Sequence, residues 1–193
     1  MDEIICRLTH PEWVSSRAEI LSKPCPVDHK PGIYAWYFQE IPPGVPIEAC
    51  FTYQGLTLLY GGISPSEPST RTGIASQQNL YKRIHDHLCG NAYGSTLRKS
   101  LGCLLRDKLS LCPKITRTGK GFTFGEGEER LSAWMAENAF VTWQVYEAPW
   151  KVEKDFIQSV SLPLNLQGNE SHPYYSELSS IRKECKNLAL LGK

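Results

Sequence analysis

With 193 residues, 41% of them hydrophobic and 21% charged, the chain can bury the core of one ordinary domain and is too apolar to be disordered. Its net charge of +1 hides an uneven distribution: residues 80–120 hold nine basic side chains against two acids, a local +7 that leaves −6 for the remainder. No apolar run approaches the ~20 residues of a membrane span, and the opening MDEIICRLTH carries acids where a secretion signal carries lysine or arginine.

Residues 1–30 read as a proline-punctuated arm with a short helix near SSRAEIL. GIYAWYF (32–38), rich in aromatic and β-branched residues, predicts a strand. IPPGVPIE breaks it, and FTYQGLTLLYGGI (51–63) returns as a second strand or a hairpin, followed by the irregular SPSEPSTRTG (64–73). Leu80, Ile84 and Leu88 recur at intervals of four and predict a helix from about Gln77. STLRKSLGCLLRDKL (95–109) is a second amphipathic helix with Ser95 as its N-cap. KITRTGKGFTFGEGEE reads as an exposed hairpin or loop whose glycines match no phosphate-loop pattern. ERLSAWMAENA predicts a helix and FVTWQVYE (140–147) a third strand. A helix over about 149–160 then starts with proline at its favoured first position, and LPLNLQGN stops it. The closing SELSSIRKECKNLALL puts Leu178, Ile181, Cys185 and Leu188 on one helical face. With no internal repeat and no long linker, the chain reads as a single α/β (α+β) domain over 1–193: an N-terminal arm at 1–30, a core at 31–168 and a C-terminal helical extension at 169–193.

Seven cysteines, an odd number with no C-x-x-C, argue against a disulfide framework or a zinc ribbon. Together with the missing export signal they point to a soluble protein of the reducing cytoplasm with no membrane partner. The basic zone fits a polyanion laid across one face, with Lys82, Arg98, Lys99, Arg106, Lys114, Arg117 and Lys120 as its candidate contacts. At about 100° per residue, Arg83 and His87 fall on one flank of the buried stripe of their helix and His85 on the other, beside Tyr81. His85, His87 and Cys89 imitate a zinc cluster in spacing, yet the two imidazoles diverge by about 200° on a helix. Glu153 sits at the edge of a stripe formed by Val152, Phe156 and Val160, which makes it a candidate metal ligand, with Glu147 as its rival.

Taken in order, Gly32-Ile33-Tyr34, Tyr60-Gly61-Gly62, Arg83 and His87 in LYKRIHDH, Glu153 in WKVEKDF and Asn165 in LPLN resemble the GIY-YIG nuclease superfamily over residues 32 to about 168. The spacing looks most like its type II restriction endonuclease branch. Gly61 departs from the pattern, standing where the family usually has isoleucine. The resemblance implies a small, mainly antiparallel three-stranded sheet flanked by helices. It also implies an endonuclease that uses Mg²⁺ (or Mn²⁺) to hydrolyse DNA, with a homodimer expected if both strands are cut.

The resemblance further implies roles. Tyr34 is the general base or proton relay, Tyr60 orients the water or the scissile phosphate, and His87 assists proton transfer. Arg83 binds the phosphoryl oxygens, Glu153 holds the metal, and Asn165 braces the site. These residue types suit the chemistry: magnesium takes oxygen ligands and often only one or two protein carboxylates, and a guanidinium fork matches a phosphate. Which tyrosine takes the proton stays open. The alternatives are a non-catalytic nucleic-acid-binding protein that keeps the nuclease fold, and a structure-specific repair or mobile-element nuclease. Target recognition falls to the insertions at 39–57, 89–99 and 112–127.

Overall fold

The computed structural model describes residues 3–68 and 76–192. In chain order its elements are α1 (Glu3–Thr9), β1 (Ser15–Ser16), α2 (Arg17–Ile20), β2 (Gly32–Phe38), β3 (Thr52–Tyr53), β4 (Leu56–Ser64), α3 (Leu80–Cys89), α4 (Thr96–Leu104), β5 (Lys114–Ile115), β6 (Phe122–Thr123), α5 (Gly127–Asn138), β7 (Ala139–Val145), α6 (Trp150–Ser159) and α7 (Tyr175–Leu191). The strands form an antiparallel sheet in the order β1-β7-β2-β4-β3, plus a separate β5–β6 hairpin. The three long strands β7, β2 and β4 make the expected central sheet, and β1 and β3 fringe it with two residues each.

Every residue of β2 is buried, so both faces of the sheet are covered, which is why GIYAWYF shows no polar alternation. Tyr34, Trp36 and Phe38 point into the larger core, beneath α3, α4, α5 and α7. Ile33, Ala35 and Tyr37 point into a smaller core closed by α1 and α6. The register of β4 slips between Trp36↔Tyr60 and Tyr37↔Leu58, leaving Leu59 as an extra residue. Leu59 and Tyr60 therefore both enter the larger core, and Tyr60 lies on the same face as Tyr34.

The two glycines after Tyr60 clear opposite faces of β4. Gly62 pairs with Tyr34, and a Cβ there would sit 2.6 Å from the Tyr34 hydroxyl. Gly61 pairs with Ala35 on the other face, where a Cβ would collide with the Phe156 ring of α6. The apolar anchor that isoleucine would supply at position 61 comes instead from Phe156, fully buried in the second core.

Several local expectations shift. The arm contains a helix, α1, that the prolines concealed, and its Ile5 and Leu8 seal the second core. Ser16 makes a full capping box with Glu19 for α2, Asn79 caps α3, and Ser95 caps α4. The stretch 51–63 is a hairpin, turning at Gln54 and Gly55 with φ of 49° and 82°. In α7, Leu178 and Cys185 are buried, but Leu188 is 38% exposed and Ala189 takes the inward position. The helix turns slightly less than a strict i+3/i+4 stripe requires, and the inner position passes to the smaller side chain. Of the segment expected to be irregular, 69–73 lies outside the described residues. Among the described residues, no helix is long and apolar enough to cross a membrane.

Restoring isoleucine at position 61 tests this packing. Gly61→Ile should lose about 2 kcal/mol of unfolding free energy from overpacking against Phe156, and adding Phe156→Ala should recover part of it. Urea titrations of the two variants measure this; a Gly61→Ile protein as stable as the parent would show that the ring does not fill that space.

Candidate active site

A cleft of about 490 Å³ opens where β4, α3, α4 and α6 meet, and its wall includes Tyr34, Tyr60, Gly61, Gly62, Arg83, Glu153 and Asn165. Tyr34 and Glu153 belong to opposite faces of the sheet. They reach one cavity because Gly61 and Gly62 place no side chain between them. Of the six residues marked as catalytic, five line the cleft, and His87 stands behind Tyr34 with no solvent exposure.

His87 is boxed by the rings of Tyr34, Trp36 and Tyr60, with centroids 5.5, 5.8 and 5.8 Å away. Its Nε2 lies 3.0 Å from the Tyr34 hydroxyl, and its Nδ1 lies 2.7 Å from Ser95 Oγ. Counting hydrogens sets the tautomer. Ser95 Oγ accepts from the Arg98 backbone N–H as the α4 cap, at 3.1 Å. The Ser95 hydroxyl is buried, and among the described residues its only other partner is His87. Ser95 therefore donates to His87 Nδ1, and the ring carries its hydrogen on Nε2, donating to Tyr34 Oη. Arg83 Nε donates to the same oxygen at 3.3 Å. Two donors converge on the phenol oxygen, and the Tyr34 hydrogen is left to point into the cleft.

Burial raises the Tyr34 phenol well above its ordinary pKa, and Tyr60 adds to this, while the Arg83 guanidinium pulls the other way. The resting phenol is neutral. Burial also holds His87 well below the usual imidazole range, with Arg83 and Arg98 adding to the effect, so it too is neutral. Arg83 Nη1 donates to the Gly94 carbonyl at 3.3 Å, which fixes the guanidinium and leaves Nη2 for the cleft. The Tyr60 hydroxyl pairs with Thr96 Oγ1 at 2.7 Å. Asn165 Nδ2 donates to the Gly61 carbonyl at 2.8 Å, while its Oδ1 accepts from the Gly61 N–H at 3.0 Å. The amide thus pairs with β4 as a neighbouring strand would.

Glu153, on the first turn of α6, is half-buried, and burial raises its carboxyl pKa. Among the described residues it has no hydrogen-bond partner. Glu147 is exposed and lies outside the cleft wall. The donor set suits a hard cation: a single unpartnered carboxylate, with Ser64, whose buried hydroxyl has no partner among the described residues, elsewhere on the same cleft wall. No cluster of three or more His, Cys, Asp or Glu side chains occurs among the described residues, and Cys89 is exposed while His87 is fully enclosed.

The basic zone divides on inspection. Arg98 is a correction: it is wholly buried and cannot touch DNA from the surface. Its Nη2 pairs with Glu128 Oε2 at 2.7 Å, and its Nη1 donates to the last-turn carbonyls of His87 and Leu88 in α3. Glu128 also accepts from the Ala92 and Phe124 N–H groups, so this ion pair is a fully bonded hub under the site. The charge of Arg106 is already matched by Glu184 at 3.0 Å and Asp107 at 3.2 Å. Lys82, Lys114, Arg117 and Lys120 are exposed, and Lys99 is half-buried.

Two polar residues beyond the signature, Asn169 and His172, are structural. Asn169 Nδ2 donates to the Leu162 and Asn165 carbonyls, holding the turn that carries Asn165. His172 Nδ1 accepts from the Tyr174 N–H, so its Nε2 carries the hydrogen and donates to Ser161. Sequence reasoning missed Ser64, Ser95, Thr96 and Arg182; only the cap position of Ser95 was legible.

A family model described as the GIY-YIG catalytic domain matches residues 32–184, and the chain belongs to that family. No curated protein and no solved structure matches the chain. Membership supports a nuclease function with DNA as substrate, and GIY-YIG nucleases generally use divalent metal ions.

The enclosure of His87 has a consequence for stability. Its folded pKa lies below the unfolded value of about 6.5, so the native state binds fewer protons and the stabilisation, complete above that pH, is lost on acidification. Below about pH 6.5 the unfolding free energy should fall by up to ~1.4 kcal/mol per pH unit, and His87→Gln should flatten that slope. Urea midpoints measured through this range check it; equal slopes in the two proteins would contradict it.

Proposed function

We propose that the protein is a Mg²⁺-dependent endonuclease of restriction type that hydrolyses DNA phosphodiesters, leaving a 5′-phosphate and a 3′-hydroxyl. The observation that carries this reading is the convergence of Tyr34, Tyr60, Arg83, Glu153 and Asn165, drawn from separate elements, on one cleft. A divalent cation on Glu153 would neutralise the phosphoryl oxygens and acidify water.

The chain's own groups do the rest. Arg83, fixed through Gly94, offers Nη2 to a phosphoryl oxygen. Tyr34 would relay the proton: its own hydrogen, which points into the cleft, passes to water there as Oη takes the proton of the attacking water, and a water proton completes the leaving 3′-hydroxyl, so that one water is split across the phosphodiester. Phenolate character at Oη is stabilised by the two hydrogens already aimed at it, from Arg83 Nε and His87 Nε2. His87 serves by donating, not by shuttling a proton of its own. Tyr60, pinned by Thr96, orients the phosphate, and Asn165 holds the β4 backbone that sets the width of the cleft. Cutting both strands with one site per chain calls for two copies, and the seven free thiols suit a reducing cytoplasm.

Supercoiled plasmid incubated with Mg²⁺ tests the reading. The protein should nick it, and Glu153→Ala and Tyr34→Phe should each slow nicking by about 10² or more while the fold is retained. Arg83→Lys should lose turnover more than binding, because a point charge cannot replace the fork. Salt-sensitive DNA binding with no nicking under Mg²⁺ or Mn²⁺ would establish a binding module instead.

A further inference from the structure

Arg182 of α7 reaches the cleft from a part of the chain that follows all the signature residues. It is half-buried, and among the described residues it has no hydrogen bond and no ion pair. Four other arginines are matched: Arg7 with Glu3, Arg98 with Glu128, Arg106 with Glu184, and Arg130 with the Leu109 and Ser110 carbonyls. Glu184, two residues beyond Arg182, is taken up by Arg106.

The neighbours of Arg182 make its isolation more costly. Lys99, half-buried on α4, and Lys186, one turn further along α7, are both positive. The Lys99 ammonium lies 5.9 Å from the centre of the Phe122 ring, and no carboxylate pairs with it among the described residues. Between the two helices sit the buried thiols of Cys103 and Cys185. Burial depresses the pKa of both Arg182 and Lys99, and the two cations reinforce the effect on the lysine. Half-buried like charges without a counter-ion are unfavourable until an anion arrives.

We propose that Arg182, backed by the neighbouring charge of Lys99 outside the cleft wall, forms a second phosphate-binding station on the Tyr60 side of the cleft, gripping the DNA backbone phosphate next to the scissile one. This rests on the nuclease reading above. Arg83 and Glu153 engage the phosphate that is cut, and Arg182 fixes how the strand lies across them. A guanidinium suits the task because it binds phosphate as a fork, and a backbone contact positions a strand without reading its sequence.

The test is binding of a fluorescein-labelled DNA duplex, with metal chelated so that no strand is cut, over a series of salt concentrations. Arg182→Gln should weaken Kd by about tenfold at moderate salt, and the slope of log K against log salt should become shallower by about 0.9, one phosphate contact. Arg182→Lys should keep the slope, since the charge remains. Lys183→Gln, exposed on the same helix and outside the cleft, should change neither. Because Arg182→Gln breaks no bond in the free protein, its Tm should not fall; a fall in Tm with an unaltered salt slope would assign Arg182 to structure and overturn the station. If the parent protein binds and nicks DNA while Arg182→Gln keeps both Kd and slope, the station alone is wrong. If the parent binds no duplex, the nuclease reading fails and the station falls with it.

Discussion

The site hangs on one buried line of hydrogen bonds, from Ser95 through His87 to Tyr34, which ties α4, α3 and β2 together where no water can substitute. A neutral imidazole is the only form this enclosure tolerates, since Arg83 and Arg98 flank it and burial penalises its charge. The same line decides the direction of each hydrogen. With Ser95 held as the cap of α4, its hydroxyl hydrogen faces His87 and the imidazole hydrogen faces Tyr34. Arg98, bonded to Glu128 and to the end of α3, keeps the two helices at the separation the line requires. A side chain that read as a DNA contact thereby becomes a foundation of the cleft's geometry.

A second constraint is the glycine pair on β4. A sheet ordinarily insulates the side chains of one face from those of the other. Here two successive residues without side chains open a passage, so that a phenol from the larger core and a carboxylate from α6 share one cavity. The departure of Gly61 from its family pattern is compensated by Phe156, whose ring occupies the vacated space and draws α6, with Glu153 on its first turn, against β4. Asn165 completes the arrangement by bonding both backbone groups of Gly61.

Much of this was legible in the residues, for identifiable reasons. Strands β2, β4 and β7 and helices α3 to α7 announce themselves by composition, periodicity and capping residues, which are local signals. The flank shared by Arg83 and His87 follows from helix geometry alone. What escaped depends on partners distant in the chain. Helix α1 looked like an arm because its amphipathic stripe is short and prolines follow it. Arg98 looked exposed because nothing near it in sequence reveals Glu128, thirty positions on. Ser64, Thr96 and Arg182 carry no motif and gain meaning only from the cavity they line. Glu153 was named from the sequence with Glu147 as its rival, and the placement of α6 and the end of β7 adds that only Glu153 lines the cleft.

The central claim is that His87, neutral and hydrogen-bonded on both sides, aims its Nε2 hydrogen at the Tyr34 oxygen. Nitrogen-15 NMR of the imidazole rings reads this directly in the protein without DNA. The account predicts that the His87 ring stays neutral, with hydrogen on Nε2 and an accepting Nδ1, at neutral pH and on to below the ordinary imidazole pKa of about 6.5. A doubly protonated His87 ring at neutral pH, or a neutral ring with its hydrogen on Nδ1, would contradict it.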